Sequence, residues 1–211
     1  MIGQIFQKIS IWIILLPVLA GTMNFKGMGK DSRWIFLLVL LAITPQVLTV
    51  FDKEDDLLHI SYNLYMPLEF FILYKIFSSK YRSKVARYIV GLSFCVSVAF
   101  YLFSAISFGL KASFLNGAAC VGNSTYILWS LLLLKQEYES EETLLQRTNP
   151  FTWYFIAILL YAPCTLASLA FYYYIRDQNS PILTKVTIIF NLFNILMYIF
   201  FSFGLLIRKK H

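Results

Sequence analysis

Charged residues are scarce in this chain, and so are the residues that most enzymes use for chemistry. Charged side chains make up 14% of the 211 residues, whereas an ordinary soluble domain carries about 25%. Histidine occurs twice and cysteine three times. The sequence contains no HExxH, CxxC, P-loop or GxSxG motif, so the common metal, nucleotide and nucleophile chemistries have no signature here. We therefore predict no cofactor and no bound metal ion, and we expect a protein that is not an enzyme.

Long apolar runs dominate the sequence instead. Hydrophobic residues make up 59% of it, and the mean hydropathy is +0.67. A helix needs about 20 residues to cross a hydrocarbon core of about 30 Å. Seven stretches have about that length: Ile5–Met23, Trp34–Val50, Leu57–Phe77, Ala86–Phe108, Ser113–Lys135, Phe151–Ile175 and Lys185–Ile207. Because a strand in lipid would leave its backbone unpaired, we predict an all-α integral membrane protein, a seven-helix bundle that forms a single domain over residues 1–211.

Basic residues are distributed unequally among the loops, which predicts the topology. With the N-terminus outside, the inner side receives 13 of the 18 basic residues and carries about +8 after its acidic residues are counted. The inner basic residues are Lys26, Lys30, Arg33, Lys75, Lys80, Arg82, Lys84, Arg87, Lys135, Arg147, Arg208, Lys209 and Lys210. Cytoplasmic loops are enriched in Lys and Arg, so we predict an outside N-terminus and a cytoplasmic C-terminus. The net charge of +7 then reflects topology, and nucleic acid is not an expected partner.

Similar segments in the two halves of the chain indicate an internal repeat. The second and sixth spans share a Trp-apolar-Phe start and a later proline, and the third and seventh share an aromatic-Asn-Leu-aromatic pattern. The segments are Trp34-Ile35-Phe36 with Pro45, Trp153-Tyr154-Phe155 with Pro163, Tyr62-Asn63-Leu64-Tyr65, and Phe190-Asn191-Leu192-Phe193. Spans 1–3 and 5–7 would then form a parallel 3+1+3 repeat, although such residues are also common in membrane helices generally.

The 3+1+3 plan is similar to that of small seven-helix transporters and, more loosely, to that of opsins and receptors. An opsin needs a lysine in the middle of its last span for the retinal Schiff base. In this chain Lys185 stands at the edge of the last span, and the interior of that span contains no lysine. The resemblance therefore implies a transporter-like or receptor-like bundle without retinal.

Polar residues inside the predicted spans form stripes, and these stripes are the candidate site. In the seventh span Asn191, Asn194 and Tyr198 lie on one face, since their spacing follows 3.6 residues per turn. Amides are costly in lipid, so these side chains should face the bundle interior. The candidate cavity residues are Glu69, Asn63, Tyr62, Tyr65, Asn116, Asn123, Asn191, Asn194 and Tyr198. They either line a polar cavity for a small solute or form hydrogen bonds between helices, at about 0.6–2 kcal/mol each.

A serine stripe in the fourth span has a simpler interpretation. Ser93, Ser97, Ser104 and Ser107 follow helical spacing, and Phe100 lies between the two pairs. Small residues let helices approach closely in membranes. We expect this stripe to pack against another helix, with Phe100 filling the gap.

Glu69 is the only charged residue well inside a predicted span, about 18 Å along a helix that begins at Leu57. An unpaired carboxylate is costly at that depth, so the group should be protonated or bonded to a partner. Asn, Tyr, Ser or water must supply that partner, because no basic residue occupies the centre of another span. We predict that Glu69, Asn191, Asn194 and Tyr198 line one cavity between the third and seventh spans. Proton coupling and a purely structural hydrogen bond both fit this arrangement.

Three classes of function are compatible with the sequence. The first is transport or sensing of a small polar solute or a proton through a polar cavity. The second is a receptor, anchor or accessory protein whose basic inner face docks a separately encoded cytosolic protein. The third is an intramembrane lipid-acting enzyme, which would need two acids or a nucleophile with a base. We expect the first, in the cytoplasmic membrane of a bacterium because the chain is so compact, and the sequence makes no prediction about oligomeric state.

Overall fold

A computed structural model describes residues 2–51, 56–111, 115–139, 145–176 and 181–208. Within these residues the chain forms α-helices and one short 3₁₀ turn (Phe25–Gly27), and it contains no strand. The helices are α1 (Ile2–Trp12), α2 (Leu15–Asn24), α3 (Lys30–Phe51), α4 (Asp56–Ser78), α5 (Lys84–Phe108), α6 (Asn116–Tyr138), α7 (Pro150–Arg176) and α8 (Pro181–Leu206). The prediction of an all-α protein is confirmed for this part of the chain.

Six segments of the described chain are long and apolar enough to cross a membrane. They are Lys8–Gly27, Lys30–Leu48, Lys84–Phe108, Asn116–Tyr138, Pro150–Ala170 and Lys185–Leu206. These segments correspond to six of the seven predicted spans, and they support a membrane protein. The third predicted span forms α4, which has 23 residues but does not reach the same hydropathy. Polar residues inside it, Asn63 and Glu69 among them, lower its average.

Pro17 divides the first predicted span into two helices. The chain leaves the helix at Ile13 and Ile14, and Pro17 is the third residue of α2. Proline has no N–H to donate, and its ring collides with the carbonyl four residues earlier, which here belongs to Ile13. Because proline is tolerated in the first turn of a helix, α2 begins just before it. The break therefore lies one turn before the proline that causes it.

The chain folds into two compact units. The first unit comprises residues 1–36 and 146–211, and the second comprises residues 37–145. The first unit thus contains the first, sixth and seventh predicted spans, and the second contains the third, fourth and fifth. Helix α3 contributes its first turns to one unit and its remainder to the other. The 3+1+3 repeat would group spans 1–3 and spans 5–7, which differs from the grouping in these two units. The repeat and a single domain over residues 1–211 stay predictions.

In the first unit, helices α7 and α8 pack through an aromatic ring seated on a glycine. A Cβ atom added to Gly204 would lie 2.3 Å from Cε1 of Tyr154, so a larger residue at 204 would displace the ring. The Tyr154 ring is also edge-on to Phe201, with centroids 6.0 Å apart, a favourable arrangement for aromatic pairs. The Tyr154 hydroxyl donates to Oγ of Ser32 at 2.8 Å. This hydrogen bond ties the start of α3 to α7.

In the second unit, helices α4, α5 and α6 surround an aromatic core. Tyr74 stacks on Phe94 with ring centroids 4.4 Å apart, and Trp129 lies against Phe77 at 5.7 Å. The Trp129 indole N–H donates to Oγ of Ser93 at 2.8 Å. Each of the three helices therefore contributes a ring to the core, and the one buried indole donor is satisfied by the serine stripe.

The serine stripe of α5 faces α6 over most of its length. Oγ of Ser97 lies 2.8 Å from Oγ1 of Thr125, and Ser104 is buried, so the predicted packing is confirmed there. It also holds for Phe100, whose ring is 40% exposed but lies beside α6, since a Cβ added to Gly117 would be 3.4 Å from its Cε1. It is wrong at Ser107, which is exposed. At 100° per residue Ser107 lies roughly 80° around the helix from Ser97. The stripe therefore rotates away from α6 towards its C-terminal end.

Candidate functional site

The polar stripe of α8 is buried, and it contacts α1 within the first unit. Asn191, Asn194 and Tyr198 are all buried, as the spacing predicts. Oγ of Ser10 donates to Oδ1 of Asn191 at 3.0 Å, and Nδ2 of Asn194 donates to the Ser10 carbonyl at 3.4 Å. Ser10 could not be predicted from the sequence, because a single serine in a short helix has no periodic signal. Periodicity predicts which face is buried and does not predict what that face contacts.

One end of the Asn191 amide has no hydrogen bond within the described residues. Asn191 is 5% exposed, and its Nδ2 is buried without a partner. An amide can donate two hydrogen bonds and accept two. Leaving a buried polar group unpaired costs about 1–3 kcal/mol. One end of this amide thus holds α1, and the other end is available for a further hydrogen bond.

Asn123 in the second unit shows the same arrangement. It is 8% exposed, its Nδ2 donates to the Ala119 carbonyl at 2.8 Å, and its Oδ1 has no partner among the described residues. Ser130 lies seven residues later on the same face of α6, and its hydroxyl is also buried without a partner in this part of the chain. Asn116, at the start of α6, is half-buried. The stripe of α6 therefore combines a bonded amide with two unpaired polar atoms.

Asn63 makes two hydrogen bonds to the backbone between α5 and α6, and its role in a cavity stays a prediction. It is fully buried at 0% exposure. Its Nδ2 donates to the Leu110 carbonyl at 3.0 Å, and its Oδ1 accepts from the Leu115 backbone N–H at 3.1 Å. Leu110 follows α5, and Leu115 is the residue before α6. Asn63 therefore fixes the connection between these two helices to α4.

Glu69 lies in the middle of α4, in the second unit. It is half-buried, and it shares a helix face with Ile72 and Ile76, which are buried. Tyr65 and Tyr62, one and two turns earlier on the same side, are also half-buried. The other members of the predicted cavity, the α8 residues, belong to the first unit. The single cavity joining Glu69 to α8 therefore stays a prediction.

The second unit also contains an open groove between α3 and α4. Its volume is about 340 Å³, and its lining includes Pro45 and Leu48 of α3 together with Leu64, Tyr65 and Leu68 of α4. Tyr65 is the predicted cavity residue that lines it. Apart from Tyr65, Thr44 and Ser61, the lining residues are apolar, so this groove suits hydrocarbon better than it suits a polar solute.

A rigid turn joins α4 to α5, and the residues that fix it were not predicted from the sequence. Tyr81 is 4% exposed, and its hydroxyl donates to the Trp129 carbonyl of α6. Burial raises the pKa of the Tyr81 phenol well above its ordinary value, so it remains a donor. Oε1 of Gln136 accepts from the Arg82 N–H at 2.7 Å, and Nε2 of Gln136 donates to the Lys80 carbonyl at 3.1 Å. Three consecutive residues of the turn are thus attached to α6.

Comparisons with known proteins leave the function to be argued from these residues. No protein-family model, no curated protein and no solved structure matches the chain significantly. The buried amides of α6 and α8 and the anchored turn between α4 and α5 are therefore the features from which a function can be inferred.

Proposed function

We propose that this chain is a seven-span membrane protein that binds a small polar solute inside the membrane, for transport or for sensing. The observation that carries this proposal is the pair of half-satisfied amides, Asn191 in the first unit and Asn123 in the second. Each amide bonds within its own unit through one end. The other end of each is buried and unpaired within the described residues.

An amide that served only to join helices would not need an unpaired end. Leucine has a similar volume without polar atoms, and it would avoid the roughly 1–3 kcal/mol that a buried unpaired group costs. The hydroxyls of Ser130 and Thr165 are likewise buried without partners in the described chain. Polar groups inside membrane helices typically mark paths or sites for solutes and ions. Water or a solute that completes these hydrogen bonds would offset the cost.

The solute should be small, polar and not anionic. The unpaired atoms are an amide nitrogen, an amide oxygen and two hydroxyls, which bind neutral donors and acceptors equally well. The spans contain no basic residue near their centres that would pair with an anion. Glu69 is the one acidic residue well inside a predicted span, so a neutral solute or a cation, including a proton, fits the polar atoms of either unit best.

The proposal includes α4 as the seventh span. At 1.5 Å per residue its 23 residues extend about 34 Å, which is long enough for a hydrocarbon core. Its exposed face carries Leu57, Leu64, Leu68 and Phe71, which suits contact with lipid. Seven spans and the excess of basic residues on one side together give an outside N-terminus and an inside C-terminus. The cytoplasmic membrane of a bacterium is the proposed location.

A thermal-stability screen with a paired variant tests solute binding. The purified protein in detergent is heated with single amino acids, sugars, nucleosides, polyamines and alkali cations. A solute at 100 times its Kd stabilises the folded state by about 2.7 kcal/mol, a shift that is easily measured. We expect at least one compound to raise the Tm of the wild type in a concentration-dependent way. Asn191→Leu should abolish that shift.

The basal stability of Asn191→Leu should change little. Losing the Ser10 contact costs about 0.6–2 kcal/mol, while removing the unpaired amide end recovers about 1–3 kcal/mol. Asn24→Leu is the matched control, because Asn24 is a buried amide of the same unit whose Nδ2 donates to the Leu205 carbonyl at 2.7 Å. It should lower the basal Tm but keep the solute-induced shift. A screen without any shift, or equal loss in both variants, would contradict solute binding at Asn191.

A further inference from the structure

The groove between α3 and α4 has the size of a small-molecule site. Its volume is about 340 Å³, and pockets that bind small molecules typically measure about 300–1,000 Å³. Residues of α4 spaced three and four apart line it from Leu57 to Leu68, so one face of this helix forms a wall. Leu57 is 59% exposed, Leu64 51% and Leu68 45%. An apolar molecule in the groove would cover these three side chains.

The opposite wall, formed by α3, contains a backbone acceptor without its usual donor. Pro45 lies inside α3 and has no N–H, so it cannot donate to the carbonyl four residues earlier, which belongs to Leu41. Leu41 and Pro45 both line the groove. Inside a membrane a neighbouring polar group or water normally completes such a carbonyl. An N–H group of a molecule bound in the groove would serve equally well.

A carboxyl group lies beside the same end of the groove. Glu69 follows Tyr65, which lines the groove, by one turn, about 6 Å further along α4 and about 40° around it. Glu69 is half-buried, and no hydrogen bond or ion pair is recorded for it within the described residues. A carboxylate at this depth is costly without a partner. A cation there would supply the partner, and the face of an aromatic ring such as that of Tyr65 also attracts cations.

The Leu41 carbonyl and Glu69 lie at a similar depth. Only four residues separate α3 from α4, and both helices line one groove, so they run in opposite directions. Leu41 is ten residues before the end of α3 at Phe51, and Met66 is ten residues after the start of α4. Leu41 is therefore level with the segment between Tyr65 and Glu69. One ammonium group can face both acceptors.

We propose that this groove binds one lipophilic amine in its protonated form. The apolar body lies against Leu57, Leu64 and Leu68, and the ammonium group donates to Glu69 and to the Leu41 carbonyl. The acyl chain of a lipid would match the leucines, but it has no donor for these two acceptors. An anion would be repelled by the carboxylate. The site belongs to the second unit and does not depend on solute binding at Asn191.

Equilibrium dialysis with two matched fluorescent probes tests this site on the purified protein in detergent. The probes are 1-naphthylmethylamine, a cation at neutral pH, and 1-naphthylmethanol, a neutral molecule of similar size. We expect the amine to bind about ten- to a hundredfold more tightly, as one hydrogen bond between charged groups predicts. Glu69→Gln should lower the affinity for the amine to that for the alcohol. Its unchanged affinity for the alcohol would show that the variant is folded.

Two control variants locate the effect. Glu139→Gln removes an exposed carboxylate of the connection after α6 and should keep the preference for the amine. Leu64→Trp fills the groove and should weaken the binding of both probes. Leu102→Trp, at a position of α5 that is 52% exposed, should weaken neither.

Three results would overturn the proposal. Equal binding of amine and alcohol to the wild type, or a preference that persists in Glu69→Gln, would show that the groove takes neutral hydrocarbon. Equal binding to the wild type and to Leu64→Trp would place the probe outside the groove. Amine binding no greater than that to micelles without protein would show that there is no amine site.

Discussion

Replacing Asn63 by leucine should destabilise the second unit strongly, although the two side chains have similar volumes. The Asn63 amide makes two hydrogen bonds, one to the Leu110 carbonyl and one from the Leu115 N–H. Leucine removes both, and it leaves a backbone acceptor and a backbone donor without their partner. Each unpaired buried group costs about 1–3 kcal/mol. The total expected loss is about 2–6 kcal/mol.

The size of the loss in stability depends on whether water can reach the two backbone groups. Leu115 is buried at 4% exposure, so its N–H has no easy access to water and should incur the full cost. Leu110 is half-buried, and a water molecule that reaches its carbonyl would reduce the loss towards the lower limit. The expected loss is a large share of the 5–15 kcal/mol that typically separates folded from unfolded protein.

Titration with SDS in mixed micelles measures the free energy of unfolding of both forms. Asn116→Leu is the matched control, because Asn116 is half-buried and its side chain has no recorded hydrogen bond among the described residues. The control should change the free energy of unfolding by well under the expected loss at Asn63. If Asn63→Leu costs no more than Asn116→Leu, the amide does not hold the α5–α6 connection.

Two further predictions concern close packing in the second unit. Gly122→Ala should cost about 1–3 kcal/mol by overpacking, because the new Cβ would lie 2.2 Å from Cε1 of Phe70. Gly91→Ala is the control and should be neutral or slightly stabilising, since the atom nearest to its new Cβ would be 4.0 Å away. Equal melting temperatures of the two variants would refute this packing. Ser97→Leu should also cost about 1–3 kcal/mol, since leucine would overfill the space beside Thr125. Ser107→Leu, on the exposed side, should have no effect on the melting temperature. If Ser107→Leu lowered the melting temperature more than Ser97→Leu, the face of α5 assigned to α6 would be wrong.

Several helix ends could be predicted from the sequence because hydropathy changes sharply there. Helix α5 ends at Phe108, as the apolar run predicts, and α4 covers Asp56–Ser78 against a predicted Leu57–Phe77. The buried face of α8 could also be predicted, since Asn191 and Asn194 repeat with the helical period. The helix break in the first span could not be located in this way, because a proline predicts that a helix breaks but not at which residue.

The partners of the polar side chains could not be predicted. Asn63 and Asn191 look alike in sequence, each being followed by leucine and flanked by aromatic residues. In the structure Asn63 binds backbone groups of a connection between helices, whereas Asn191 binds a serine of α1. Backbone groups have no sequence signature, and a partner 181 residues away is set by packing. Sequence periodicity therefore identified buried amides but not their roles.

The central claim is that the chain crosses the membrane seven times. An odd number of spans puts the two ends of the chain on opposite sides of the membrane, so the position of the ends tests this claim directly. A short epitope is placed before Met1 and a different one after His211, and antibody access is measured in intact and in permeabilised cells. Seven spans with an outside N-terminus predict that the first epitope is reached in intact cells and the second only after permeabilisation. Access to both epitopes on the same side would show an even number of spans, with α4 outside the hydrocarbon core, and would contradict the seven-span account.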